Sequence, residues 1–243
     1  MVSTGSTCGD NATSYYYEFE YEDQRVVIVN GIPDHDAEND QLVDNTNTRC
    51  ERWQFMTVPI DPSKGTDATE TSMGVIALAV TGGTFYNDLS NDDGAIALYN
   101  EGQSLDSCAG HSSDNSQYHY HANILCDDDA SDASVCKQVG WAKDGVPIYG
   151  YCNDSEGDQF ASCYSVIDGY SEYEVEITPG TFESAIDEDY YEYVDSDECN
   201  LDKANGAIHP TTGKYSYFMT ETYPWVPMYY YGDGGEAQIC SAI

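Results

Sequence analysis

The chain has 243 residues and carries 44 acidic against 8 basic side chains, for a formal charge of −36. A field of that sign repels nucleic acid and anionic membranes and concentrates cations, so no nucleic-acid partner is expected. No apolar stretch reaches the ~18 residues of a membrane span, so no membrane insertion is expected, while 22 tyrosines and three tryptophans supply the core material that an acidic disordered chain lacks.

In chain order, residues 15–29 (YYYEFEYEDQRVVIV) mix aromatic, acidic and β-branched types with partial alternation and end at the turn signal Asn30-Gly31, which predicts a strand or hairpin. Residues 53–60 (WQFMTVPI) and 73–80 (MGVIALAV) read as buried strands. Residues 138–149 place Asp144-Gly145 between two short β-prone runs, 173–177 alternate cleanly, and 214–219 form another strand candidate. Amphipathic helix signals are weak: only 182–193 is a candidate for one short helix, and the acidic segments 34–45, 127–134 and 183–198 read better as loops. The expectation is a mainly β, single disulfide-braced domain, sandwich-like or barrel-like, with long acidic loops and little helix. No Pro-rich or Gly/Ser-rich linker divides it.

Nine cysteines are spread along the chain without a CxxC pair, which disfavours a zinc ribbon or a thioredoxin-like motif and favours an oxidising, extracellular compartment. Cys108 with Cys126 and Cys152 with Cys163 are the expected local pairings, and the odd count leaves one thiol able to cross-link chains. Asn11 and Asn153 stand in N-glycosylation sequons, pointing to the same compartment. The residues after Met1 lack an apolar signal region, so the expectation is either that a leader has been removed or that the numbering is not that of the natural chain.

The chemistry concentrates at one place. Three of the five histidines, His111, His119 and His121, fall within eleven residues. In an extended strand successive side chains point to opposite faces, so His119 and His121 project together while Tyr118 and Tyr120 project away. The polar run 112–116 suits a reversing loop that returns His111 to the pair. Three imidazoles suit a transition metal, zinc or copper foremost, whereas calcium would prefer carboxylates on the acidic loops. Asp106 is a candidate fourth ligand or a carboxylate orienting an imidazole, and His35 is a candidate to join from afar or an exposed turn histidine. His209 reads as solvated. A disulfide between Cys108 and Cys126 would staple the segment.

One internal echo is visible. Cys108-Ala-Gly-His111 precedes Tyr118-His-Tyr-His121, and Cys199, Asn205-Gly206 and His209 precede Tyr215-Ser-Tyr-Phe218, so that Ser216 and Phe218 stand where the first copy has histidines. One site rather than two is expected.

Tyr118-His-Tyr-His121 is accompanied by Asn30-Gly-Ile-Pro-Asp-His35, Gly74-Val-Ile-Ala77, Gly82-Gly-Thr-Phe-Tyr86, Leu105-Asp-Ser-Cys-Ala-Gly-His111, Gly140-Trp-Ala-Lys-Asp-Gly-Val-Pro-Ile-Tyr-Gly150 and Asp197-Glu-Cys-Asn200, and by residues 214–220 and Tyr223-Pro-Trp225. In this order they resemble the YHYH-domain proteins over residues 26–227, leaving 1–25 as an N-terminal segment and 228–243 as a Tyr/Gly-rich tail packed on the domain or extending from it. The resemblance implies a secreted or cell-surface domain, and its histidine signature suggests metal binding. The expected function is thus an extracellular three-histidine metal-binding protein, a surface or matrix component. One alternative is a subunit of an extracellular homopolymer, given the tyrosine clusters at 15–17 and 229–231. The other is a metal-dependent hydrolase or oxidase using an open coordination position. It is the lesser reading, because nothing in the sequence marks a general base, and no GxSxG, HExxH or phosphate-binding loop is present.

Overall fold

The computed structural model describes residues 7–37, 47–90, 94–167, 187–196, 199–233 and 235–241. Within them the chain forms β1 (Tyr16–Tyr21), β2 (Gln24–Val29), β3 (Gln54–Pro59), β4 (Lys64–Glu70), β5 (Val75–Ala79), β6 (Thr84–Tyr86), β7 (Gly110–Ser112) and β8 (Tyr118–Tyr120). They are followed by β9 (Gln138–Ala142), β10 (Pro147–Tyr149), β11 (Tyr164–Val166), β12 (Tyr191–Tyr193), β13 (Gly206–Ile208), β14 (Tyr215–Phe218), β15 (Tyr229–Gly232) and β16 (Cys240–Ser241). Among the described residues helix is limited to two single α-turns, α1 (Ala97–Asn100) and α2 (Asp128–Ser131), and three 3-10 turns. None is long and apolar enough to cross a membrane.

The main body is an eight-stranded sheet in the order β13-β14-β10-β9-β5-β6-β8-β7. Its two halves repeat one connectivity. The antiparallel pair β5–β6 meets β8 in parallel, and β8 pairs β7 antiparallel; β9–β10 meets β14 in parallel, and β14 pairs β13 antiparallel. The halves join through β5 and β9, antiparallel at the centre. The echo in the sequence is therefore a repeat in space: His111 opposite His119 in one hairpin corresponds to Ala207 opposite Ser216 in the other.

The sheet is open, with β13 and β7 as edges, so the architecture is not a closed barrel. A four-stranded sheet, β1-β2-β3-β16, lays Val27, Val29, Met56 and Val58 on Leu78 and Trp141 of the larger sheet, a local layering rather than a full sandwich. Alternation in β2 and β3 dictates this, since every second residue turns inward. The expected hairpins form: β1 and β2 turn through Glu22, and β9 and β10 turn through Gly145, whose φ of +89° suits a residue without Cβ.

Three expectations are modified. Residues 188–190 form a 3-10 turn and Tyr191–Tyr193 a strand against β11, not a helix, because Tyr191 and Tyr193 alternate with Glu192; residues 182–186 and 173–177 lie outside the described residues. The acidic segment 127–134 contains α2, capped by the Asp127 carboxylate, which accepts the N–H groups of Asp129 and Ala130. Cys152 does not pair with Cys163. The four disulfides are Cys8–Cys50, Cys108–Cys126, Cys136–Cys152 and Cys163–Cys199. Cys136 and Cys152 flank the β9–β10 hairpin, and Cys163 and Cys199 flank the β11–β12 pair, so strand pairing overrides nearness in sequence. Cys240 remains a free, exposed thiol.

Candidate metal centre

The β7–β8 hairpin builds the site. Its loop closes through Ser113 and Gln117, with Ser116 at φ +67°, and returns His111 directly opposite His119. His121 follows two residues later on the same face. The three Nε2 atoms converge: His111 and His119 are 3.1 Å apart, and His119 and His121 are 3.0 Å apart. All three side chains are buried.

Each outer nitrogen is tied down. His119 Nδ1 lies 3.2 Å from the Gln117 carbonyl, and His121 Nδ1 lies 3.1 Å from the Asn87 carbonyl. His111 Nδ1 lies 2.8 Å from Ser104 Oγ, whose proton goes to the Glu101 carbonyl, so the hydroxyl accepts from the ring. These acceptors place the proton of each neutral ring on Nδ1 and aim three Nε2 lone pairs at one another. Tyr86 stacks on His119 with ring centroids 3.7 Å apart and fixes its plane.

Burial, reinforced by the neighbouring imidazoles, holds His119 well below the ordinary histidine range and pushes His121 down to about 4. Both are neutral at physiological pH, the form that ligates metals. Glu101, reached from α1, brings a carboxylate oxygen 3.1 Å from His111 Nε2 and 3.7 Å from His121 Nε2. Burial alone would raise its pKa, but the adjacent His111 and His121 rings carry it below the usual glutamate range. Neither the spacing of Glu101 nor its type marks it among the 44 acidic residues, so sequence reasoning misses it, along with Ser104.

The donor set fits a metal ion. Imidazole nitrogens bind zinc at ~2.0–2.1 Å, which at tetrahedral angles separates them by roughly 3.3 Å, close to the spacing present. His111, His119 and His121 form a buried group able to hold an ion.

Asp106 and His35 do not join it. The Asp106 carboxylate accepts the N–H groups of Cys108 and Gly110 and the Tyr118 hydroxyl, and His35 Nε2 stands 2.9 Å from that hydroxyl and 3.3 Å from Asp106 Oδ2. Tyr118 alternates with His119, so this network occupies the opposite face of β8. His35 also approaches Cys108 and Cys126, but their sulfurs are joined in a disulfide and offer no thiolate. His209 is buried rather than solvated: its Nδ1 accepts from the N–H groups of Thr211 and Thr212, and its Nε2 lies 3.3 Å from Cys136 Sγ. Of the expected sequons, Asn11 is exposed and Asn153 half-buried. Among the described residues no group of three carboxylates converges to hold calcium. Asp127 caps α2 and pairs with Lys137, and Asp154 caps a turn.

Fold and site together define an open-sheet, disulfide-bonded β-protein with one buried tri-histidine cluster on a hairpin. A family model described as YHYH protein matches residues 9–232, and the chain belongs to that family. No curated protein and no solved structure matches the chain.

Proposed function

We propose that this protein is an extracellular metal-binding member of the YHYH family, a surface or matrix component that holds one zinc or copper ion on His111, His119 and His121, with Glu101 as fourth donor. The observation that carries this reading is the orientation of the three rings. With Nδ1 protons committed to acceptors, three buried Nε2 lone pairs converge, 3.1 Å apart between His111 and His119 and 3.0 Å apart between His119 and His121, an arrangement that a shared cation satisfies and that bare imidazoles do not. Four disulfides support the extracellular assignment. Glu101 beside the cluster favours a filled coordination shell, and hence a binding role over a catalytic one.

Elemental analysis of the full chain, purified without a metal-affinity tag and dialysed against zinc or copper, tests this. One equivalent of either ion, lost in the His119→Ala variant, is the expected result. No stoichiometric ion, or binding unchanged when all three histidines are replaced by alanine, overturns it.

A further inference from the structure

The four-stranded sheet has a second face, and it is unlike the rest of the surface. Tyr15, Tyr17, Phe19 and Tyr21 alternate outward along β1 and its first flanking residue, and Trp53 and Phe55 do so at β3; all six are exposed. Cross-strand register places them in rows. Tyr17, Ile28 and Phe55 are direct neighbours across three strands, as are Phe19, Val26 and Thr57. Tyr15 and Trp53 bring their ring centroids within 4.8 Å, and Tyr17 and Phe19 within 5.7 Å. The charged residues of these strands, Glu18, Glu20 and Arg25, lie at the alternate positions and pair with one another. No outward position of β1, β2 or β3 carries a charge, on a chain whose formal charge is −36.

The first row continues onto β16. Cys240 pairs in register with Phe55, so its thiol belongs to this aromatic face; it is exposed, and it is the one cysteine of nine outside the four disulfides.

We infer that this face is a two-fold interface between two copies of the chain, centred on the Tyr17–Ile28–Phe55 row and locked by a Cys240–Cys240 disulfide. Two arguments select a second copy as the occupant. Charge is the first: like-charged copies repel everywhere except across a patch with no charge, and this is such a patch. Area is the second. Aromatic side chains bury ~150–250 Å² each, so the half-exposed six contribute on the order of 500 Å² per copy, and the intervening Val26, Ile28 and Thr57 bring the face toward the roughly 800 Å² per partner of a stable interface. The odd thiol on the same face is the covalent counterpart of that symmetry. In forming the bond, two Cys240 thiols give up two protons and two electrons to oxidised glutathione, whose own S–S bond breaks to yield two glutathione thiols. The interface is independent of the histidine site.

Light scattering on the full chain tests this, with and without reductant, alongside Cys240→Ser and the double variant Tyr17→Glu/Phe55→Glu. The wild type is expected at twice the 26.8 kDa chain mass. Oxidised glutathione should convert it to a covalent dimer, which Cys240→Ser abolishes while keeping the non-covalent dimer. The double variant should dissociate at least ~10-fold more readily with unchanged circular dichroism. A wild-type monomer at high micromolar concentration, or a dimer that the double variant leaves intact, overturns the inference. So does a monomer that binds polysaccharide or lipid vesicles through Tyr17 and Phe55.

Discussion

Asp106 and Asp202 make the same three hydrogen bonds in two hairpins on opposite halves of one sheet. Asp106 accepts from the N–H groups of Cys108 at 2.9 Å and Gly110 at 3.1 Å and from the Tyr118 hydroxyl at 2.6 Å. Asp202 accepts from the N–H groups of Ala204 at 3.0 Å and Gly206 at 2.9 Å and from the Tyr215 hydroxyl at 2.8 Å. In both, the glycine is required by the close tyrosine: a Cβ at Gly110 would run into the Tyr118 hydroxyl, and one at Gly206 into that of Tyr215. The carboxylate ties the start of each hairpin to its second strand.

Replacing either aspartate by alanine removes three charge-assisted bonds around a buried tyrosine and should destabilise the fold by about 3–5 kcal/mol. Only Asp106→Ala should also weaken metal binding, since only that hairpin carries the three converging histidines. Denaturant unfolding and metal titration of the two variants separate the effects, and equal metal affinity in both would refute the coupling.

The repeat makes a constructive prediction. Ala207 and Ser216 stand opposite each other as His111 and His119 do. The double variant Ala207→His/Ser216→His should therefore gain a second, weaker equivalent of zinc or copper, measured by calorimetry with the native site intact. Unchanged stoichiometry would show that the correspondence of the hairpins does not extend to side-chain direction.

Ser104 orients His111 through Nδ1 without facing the centre. Ser104→Ala should lower metal affinity ~10–100-fold while leaving unfolding free energy nearly unchanged. An affinity equal to the wild type would remove Ser104 from the site.

Asp88 sets a pH dependence. It is fully buried, neither carboxylate oxygen has a hydrogen-bond partner among the described residues, and the nearby Tyr223 hydroxyl donates instead to Met228 Sδ at 3.1 Å. Burial, with the charges of Glu188 and Glu70 adding to it, pushes the Asp88 carboxyl up to about 7 from 3.8. Between those two values the folded chain keeps a proton that the unfolded chain has released, so this group's contribution to stability is fully present below pH ~4 and is lost as pH rises to ~7. The full loss is about 4 kcal/mol. Asp88→Asn should stabilise the protein by a similar amount at pH 8 and hardly at all at pH 4, and thermal unfolding at the two values reads the difference.

Elements whose cause is local are legible in the residues themselves. Period-two alternation gives β2, β3 and the shared face of His119 and His121, Asp144-Gly145 gives a hairpin, and the polar run 112–116 gives the loop that returns His111. The echo between 108–121 and 199–218 was also legible, because a pair of tyrosines two residues apart, preceded by a glycine, survives in both copies where the histidines do not. What depends on contacts distant along the chain is visible in the folded molecule alone. Asp106 lies five residues from His111, yet the pleat and its own hydrogen bonds send it to the other face with His35. Glu101 is no nearer and no more conspicuous than other acidic residues, but α1 lays it against the cluster. Cys152 is eleven residues from Cys163 in sequence, and strand pairing gives each a different partner. Local pattern fixes which way a side chain points from its own strand; which other strand it then meets is settled by the packing of the whole sheet.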